Sequence, residues 1–167
     1  MNWISYLMYN LTSEISDFQY YGVDVVESII DASKLRYKNM SENWKIEVLD
    51  FTQQKLPDNY EMIFTRDSLM HLSYEKIFDA LKAFARVKGA RFLLAGSYLK
   101  NNVNKNIKIG NWFKINLLKP PFNLNKYIEI FEENDGKDKS LILYDIPNYL
   151  SKIDFDQIKA STLKLNH

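Results

Sequence analysis

The stretch EMIFTRDSLMHL, residues 61–72, decides the fold that the sequence predicts. Its first part, Met62 to Thr65, is a short apolar run of the kind that forms a strand buried inside a parallel sheet. Arg66 and Asp67 place opposite charges where that strand ends, and His71 follows closely. Because ligands of open α/β sheets bind beyond the carboxyl ends of the strands, we expect these side chains at the functional end of the sheet.

A helix and another strand are predicted directly after this stretch. Ser73 is a suitable N-cap, apolar side chains recur at helical spacing over Tyr74 to Val87, and Gly89 is placed to cap the far end. Residues Arg91 to Gly96 then form an apolar run that predicts the next strand.

The chain before residue 61 alternates in the same way. Tyr20 to Val25 and Ile46 to Phe51 are predicted strands that each carry an acid near the end, and a helix is predicted from Val26 between them. Apolar residues at helical spacing predict one more helix over residues 1–11. Alternating strands and helices indicate parallel strands joined by right-handed crossovers.

The pattern changes after residue 100. Residues 101–107 are rich in Asn and Lys and predict an exposed loop, whereas residues 110–122 mix aromatic, apolar and proline residues and predict an irregular, partly buried segment. Lysines in this region could guide an anionic molecule to the protein, and a solvated loop explains them equally well.

Two short strands are predicted at the end of the domain. Tyr127 to Phe131 and Leu141 to Tyr144 flank an Asp135-Gly136 turn, which indicates an antiparallel hairpin. The sequence therefore predicts one α/β domain over residues 1–147 and a polar tail, with a frayed helix, over residues 148–167.

Composition excludes several classes of function. The chain has 167 residues, 26% of them charged and 46% hydrophobic, with a net charge of +1, which argues against nucleic-acid binding by bulk electrostatics. No apolar run approaches the roughly 20 residues of a membrane span. The absence of cysteine excludes disulfides, zinc–thiolate sites and cysteine nucleophiles, and it fits a reducing compartment, so we expect a cytoplasmic protein.

Parallel strand–helix units followed by an antiparallel hairpin resemble the class I S-adenosylmethionine-dependent methyltransferases, over roughly residues 2–144. The YGVD run at residues 21–24 resembles the family's second strand, whose acid binds the ribose hydroxyls of the cofactor. This resemblance implies that Asp24, with Val25, contacts S-adenosylmethionine. Leu49-Asp50-Phe51 resembles the end of the third strand and implies that Asp50 and Phe51 hold the adenine.

The RDSLMHL segment at residues 66–72 resembles the region after the family's fourth strand, which faces methionine and the methyl acceptor. The resemblance implies that Arg66 and Asp67 lie at the amino-acid end of the cofactor and that His71 is the catalytic base. The acceptor pocket would be roofed by three residues further along the chain, Tyr98, Trp112 and Asn116.

Each of these residues also has a structural interpretation. Strands often end in Asp because Asp favours turns, and Arg66 and Asp67 can simply pair with each other. A histidine side chain suits a general base near neutral pH, but His71 could equally cap the next helix. Aromatic side chains such as Trp112 can belong to the core instead of stacking on an acceptor.

The family's first strand and its Gly-rich turn are missing from the sequence. The five glycines are isolated, and no G-x-G occurs, although glycine is what lets backbone approach a cofactor closely. The resemblance places the missing strand between those predicted at Tyr20–Val25 and Met62–Thr65. We therefore expect an N-terminally truncated domain with two open strand edges and with weak or no cofactor binding.

The sequence favours a domain that methylates a small molecule, with O-methyl transfer suggested by His71 and with no metal needed. In this form we expect it to be inactive or impaired. A catalytically dead interaction module is the main alternative. A fragment of a nicotinamide-dependent oxidoreductase is a second alternative, but it requires G-x-G-x-x-G and a parallel sixth strand, which conflicts with the hairpin.

Overall fold

The structure is a computed structural model that describes residues 18–38, 43–133 and 138–164. These residues fall in two compact units, which divide between Asp50 and Phe51. The helix predicted at residues 1–11 and the Asp135-Gly136 turn lie outside the described residues.

The described part of the first unit is a strand–helix–strand motif. Strand β1 (Tyr20–Asp24) leads into helix α1 (Glu27–Arg36) and then into strand β2 (Trp44–Val48). The two strands are parallel, as predicted.

Strand β2 is shifted from its predicted position. It begins at Trp44 instead of Ile46 and ends at Val48, so Asp50 lies beyond the strand. The early start has a physical reason, because the Trp44 ring packs on Tyr20 of β1 with 4.5 Å between centroids.

The second unit contains a four-stranded sheet with the order β3-β4-β6-β5. The strands are β3 (Met62–Thr65), β4 (Phe92–Ser97), β5 (Glu129–Glu132) and β6 (Ser140–Asp145). Strand β3 pairs with β4 in parallel, whereas β6 is antiparallel to both β4 and β5. The predicted change from parallel strands to a terminal antiparallel pair is confirmed.

Helix α2 (Tyr74–Ala85) begins as the sequence predicts and ends differently. The Ser73 hydroxyl accepts a hydrogen bond from the Lys76 amide at 3.4 Å, which confirms the N-cap. The predicted cap at Gly89 is wrong, because the helix ends at Ala85 with Arg86 as its C-cap. Gly89 instead allows a close approach, since a Cβ there would lie 2.0 Å from the Asp58 carbonyl oxygen.

The hydrophobic core of the second unit lies between α2 and the sheet. Its fully buried members include Ile77 and Leu81 of α2, Leu93 of β4 and Ile142 of β6. Residues 115–124 add further buried side chains, so the irregular segment is partly buried, as predicted.

The polar tail expected after residue 147 is a helix packed on the second unit. Helix α3 (Phe155–Lys164) is anchored by the buried ring of Phe155, and Leu150 before it is also fully buried. Lys82 of α2 donates to Asp156 at 2.6 Å, and Lys159 donates to Asp79 at 2.7 Å. This packing was not predicted, because the segment is mostly polar and only a few apolar side chains anchor it.

Four strand edges are open within the described part of the chain, one each on β1, β2, β3 and β5. Strands β1 and β3 are the strands between which the resemblance places a further strand. Among the helices that the structure describes, none has the length and apolar character needed to cross a membrane.

Candidate functional site

The chemistry-bearing side chains of the second unit gather beyond the carboxyl ends of β3 and β4. Arg66 and Asp67 follow β3 directly, and Tyr98 follows β4. The antiparallel partner β6 begins at this edge, since Ser140 pairs with Ser97 at the end of β4. This is the sheet edge at which ligands of α/β proteins bind.

Four charged side chains form a network at this edge. The Arg66 Nε donates to Glu133 at 2.7 Å, and its Nη1 donates to Asp67 at 2.8 Å. Lys139 donates to the other Asp67 carboxylate oxygen. Arg66, Glu133 and Lys139 are about nine-tenths buried, so the network supplies each buried charge with an opposite one.

The network joins the segment after β3 to the β5–β6 strand pair. Sequence reasoning missed Glu133 and Lys139, which flank the predicted turn and were assigned no role there. Arg66 and Asp67 lie together at this edge of the sheet, as the resemblance implies. They also form an ion pair with each other, as the structural interpretation implies. Their contact with a cofactor remains a prediction.

Glu133 has one unusual feature. Its Oε1 accepts from Arg66, but its Oε2 is buried and has no hydrogen-bond partner in the part of the chain that the structure describes. Burying a carboxylate oxygen without a hydrogen-bond donor costs free energy. A donor that reached Glu133 Oε2 would therefore stabilise the network.

His71 is exposed and oriented by a neighbouring loop. Its Nδ1 lies 3.1 Å from the Asn111 carbonyl oxygen. A carbonyl oxygen can only accept, so in the neutral ring Nδ1 carries the proton and Nε2 is the unprotonated nitrogen. This tautomer leaves Nε2 able to accept a proton, which a general base requires.

The same loop carries an aromatic pair. Tyr98 is 4% exposed and Trp112 is 50% exposed. Their rings meet edge to face, with 6.0 Å between centroids. The Trp112 Nε1 donates to the Met70 sulfur at 2.9 Å, so Trp112 is fixed although half of it faces solvent.

The observed hydrogen bonds of the Asn116 side chain hold the backbone of this loop in place. It is 1% exposed, and its Nδ2 donates to the carbonyl oxygens of Leu99 and Asn101 at 3.0 and 2.8 Å. Its Oδ1 accepts from the Leu118 amide at 3.0 Å. Both amide hydrogens are thus used to hold the loop, and direct contact of Asn116 with an acceptor remains an untested prediction.

In the first unit, the two predicted acids lie at the same end of the parallel strand pair. Asp24 ends β1, and its backbone carbonyl accepts from the Leu49 amide at 3.0 Å, next to Asp50. The Asp24 Oδ1 accepts from the Val26 amide at 2.9 Å. Its other carboxylate oxygen has no hydrogen-bond partner among the described residues, and the neighbouring Val25 is 58% exposed.

Phe51 begins the second unit. Its ring packs on Phe84 of α2, with 5.4 Å between centroids. It also lines an open cavity of about 410 Å³, which lies between residues 51–58 and α2 and includes Lys82 and Arg86. A role of Phe51 at an adenine ring remains a prediction.

Comparison with solved structures identifies the fold. The chain resembles PigF bound to S-adenosylhomocysteine, at a TM-score of 0.62 and 14% identity, over 85% of this chain and 47% of PigF. It also resembles the N-methyltransferase NodS from Bradyrhizobium japonicum WM9 in complex with S-adenosylhomocysteine, at a TM-score of 0.56 and 14% identity, over 78% and 67% of the two chains. The fold is that of a class I methyltransferase. The chain spans about half the length of PigF.

The methyltransferase fold belongs to a wider α/β group. A Rhodobacter sphaeroides protein provisionally named a Zn-dependent alcohol dehydrogenase matches at a TM-score of 0.57 and 10% identity, over 76% of this chain and 75% of that one. No protein-family model and no curated protein sequence matches the chain. Similarities at this level of identity establish the fold, and function must be argued from the site.

Proposed function

We propose that this chain is a methyltransferase domain that uses S-adenosylmethionine and acts on a small molecule. The observation that carries the proposal is the position of Asp24 and Asp50 at the same end of two neighbouring parallel strands. Asp24 offers a carboxylate oxygen that has no partner among the described residues, and a ribose needs such an acceptor for its hydroxyl groups.

The fit to the cofactor is partial. Acids are present for the nucleoside, but the sequence has no G-x-G that could wrap the remainder of the molecule. We therefore propose that this chain binds the cofactor weakly and that its activity is low or absent.

The chemistry supplied by bound S-adenosylmethionine is an electrophilic methyl group on a sulfonium. Asp24 and Asp50 would hold the cofactor, which would supply this methyl group to an acceptor oxygen and leave as a neutral thioether. We propose that His71 Nε2 accepts the proton that the acceptor hydroxyl loses, because the contact with the Asn111 carbonyl oxygen keeps the proton of the neutral ring on Nδ1. Positioning of the acceptor supplies the remainder of the rate enhancement.

Isothermal titration with S-adenosylhomocysteine tests the cofactor half of the proposal. We expect weak binding by the unmodified chain and a further loss of about tenfold in Asp24→Asn, which removes a charge-assisted acceptor. The matched control is Asp31→Asn, an exposed position on α1. Tight binding by the unmodified chain, or equal binding by Asp24→Asn, would contradict the proposal.

A catalytically dead interaction module is the second candidate. It is favoured by the Arg66 and Asp67 pairs, which already engage the side chains that the resemblance assigns to the cofactor. The titration separates the two candidates, because a dead module should show no saturable binding. The antiparallel β6 disfavours the nicotinamide-dependent alternative, which prefers a parallel sixth strand.

A further inference from the structure

Trp112 is an exposed aromatic ring that the surrounding structure holds in place. Half of its surface faces solvent, yet its Nε1 is bonded to Met70 and its ring meets Tyr98 edge to face. Backbone hydrogen bonds fix the flanking chain, from the Gly110 amide to His71 at 3.0 Å and from the Phe113 amide to Met70 at 3.1 Å. Another aromatic ring can stack on this exposed surface. Because the Trp112 side chain is already fixed, such binding costs it little further conformational entropy.

A positive charge without a described counterion lies beside this ring pair. The Lys114 ammonium lies 5.4 Å from the centroid of the Tyr98 ring. It is exposed and forms no ion pair with the residues that the structure describes. Lys139 lies 5.8 Å from the same centroid, but its charge is neutralised by Asp67. Of these two lysines beside the Tyr98 ring, Lys114 is therefore the one that has no counterion among the described residues.

We propose that Trp112 and Lys114 bind a flat aromatic molecule that carries a negative charge. The aromatic ring stacks on the exposed part of the indole, and its anionic group pairs with the Lys114 ammonium. That this molecule is the methyl acceptor rests on the proposed function. In that case His71, whose Nδ1 contacts the residue before Trp112, lies beside the bound ring and can receive the proton of its hydroxyl group.

The probe for this site is 4-hydroxybenzoate, a flat aromatic anion with a hydroxyl group. The full chain is labelled with 5-fluorotryptophan, which gives one fluorine NMR signal for each of its three tryptophans. The Trp112 signal is assigned from its loss in Trp112→Phe. We expect 4-hydroxybenzoate to shift the Trp112 signal saturably and to leave the Trp44 signal unchanged.

Two further compounds separate the ring from the charge. The saturated acid 4-hydroxycyclohexanecarboxylate has the same charge without a flat ring, and phenol has the ring without the charge. We expect the saturated acid to give little shift and phenol to bind several-fold more weakly than 4-hydroxybenzoate. Equal shifts from the saturated acid, or no Trp112 shift with 4-hydroxybenzoate up to its solubility limit, would overturn the proposal.

Variants locate the charge contact. Lys114→Gln should weaken 4-hydroxybenzoate binding by about threefold to tenfold and leave phenol binding unchanged, because only the ion pair is removed. Lys119→Gln, at an exposed lysine further along the same segment, is the matched control and should bind as the unmodified chain does. An equal loss in both variants would indicate general charge attraction and would contradict the assigned contact.

This measurement does not depend on methyl transfer. Ring binding at Trp112 without any cofactor binding would retain the site and refute the proposed reaction. Cofactor binding without a Trp112 response would retain the reaction class and refute the acceptor assigned here.

Discussion

The two units of the chain differ in how much apolar surface their described residues bury. In the second unit, α2 contributes fully buried side chains such as Ile77 and Leu81 to the hydrophobic core. Residues next to His71 and Trp112 belong to this core or pack against it. In the described part of the first unit, the buried apolar residues are Ile30 and Leu49. The described part of the second unit thus has a substantial hydrophobic core, whereas the described part of the first unit has few buried apolar side chains.

The difference is not one of composition. Helix α1 contains apolar residues, but Ile29 is 46% exposed and Leu35 is 71% exposed. A two-stranded sheet with one helix buries little on its own, and such elements are marginally stable in water. We therefore expect the described strands of the first unit to be less stable than the sheet of the second unit.

Matched leucine substitutions give the largest expected contrast between the units. Leu81→Ala removes a fully buried side chain from α2 and should lower the free energy of unfolding by about 2–5 kcal/mol. Leu35→Ala removes an exposed side chain from α1 and should change it by less than about 0.5 kcal/mol. Urea denaturation measures both. Equal losses would show that the first unit has a core that the exposed fractions do not reveal.

Matched glycine substitutions give the next largest contrast. A Cβ on Gly96 of β4 would lie 2.0 Å from the Arg66 carbonyl oxygen, so Gly96→Ala must move backbone. We expect a cost of about 1–3 kcal/mol and a disturbed Arg66 network. A Cβ on Gly22 of β1 would instead meet the Tyr20 side chain, with the hydroxyl at 2.7 Å, so this substitution requires a side chain and not the backbone to shift.

Gly22→Ala should therefore be tolerated, and the gain in strand preference can offset the shift of Tyr20. Thermal denaturation of the two variants checks the contrast. A larger loss in Gly22→Ala would place the tighter backbone packing in the first unit, contrary to the comparison.

Much of the fold could be predicted because its signals are local. The bounds of Met62–Thr65, the Ser73 cap and the change to antiparallel strands each depend on short patterns of residues. The limits of β2 were less predictable, because packing of Trp44 on Tyr20 extends that strand at its start.

The site was predictable only in part. Arg66, Asp67 and His71 stand out because they follow a short apolar run that predicts a strand. Their partners do not stand out, since Glu133 is 67 residues from Arg66 and Lys139 is 72 residues from Asp67. Such pairs depend on how β6 aligns with β4, and no local pattern encodes that alignment.

Alkaline pH should test the two units through one tyrosine in each, Tyr74, which is buried, and Tyr20, which is half-buried. Burial raises the pKa of Tyr74 in the second unit to about 12. Burial, with a smaller effect of Tyr37, raises the pKa of Tyr20 in the first unit. A raised pKa stabilises the fold fully below the unfolded value near 10, and this contribution is lost as the pH rises through the folded value.

We therefore expect the chain to lose stability between about pH 10 and about pH 12, and Tyr74→Phe to lose less of it over that range. Tyr20→Phe should protect the first unit alone, which hydrogen exchange of the β1 and β2 amides can report. Tyr127→Phe, at an exposed position, is the control. A Tyr74→Phe variant as sensitive to alkali as the unmodified chain would contradict this prediction.

Surface ion pairs provide the smallest expected effect, and they test whether packing alone explains the contrast. Lys45 contacts Glu47 at 2.7 Å in the first unit, and Lys82 donates to Asp156 at 2.6 Å in the second. These hydrogen bonds lower the pKa of both carboxyl groups, so each pair stabilises the fold above about pH 4 and loses that effect as the pH falls through the folded pKa.

Because exposed pairs contribute little, Lys45→Met and Lys82→Met should each shift the melting temperature only slightly at neutral pH, and by similar amounts. Both shifts should vanish in acid, where the carboxyl groups are protonated in the unmodified chain as well. A much larger loss in Lys82→Met would mean that charge pairs between α2 and α3 contribute substantially to the stability of the second unit. The contrast between the units would then reflect electrostatics as well as the buried apolar core.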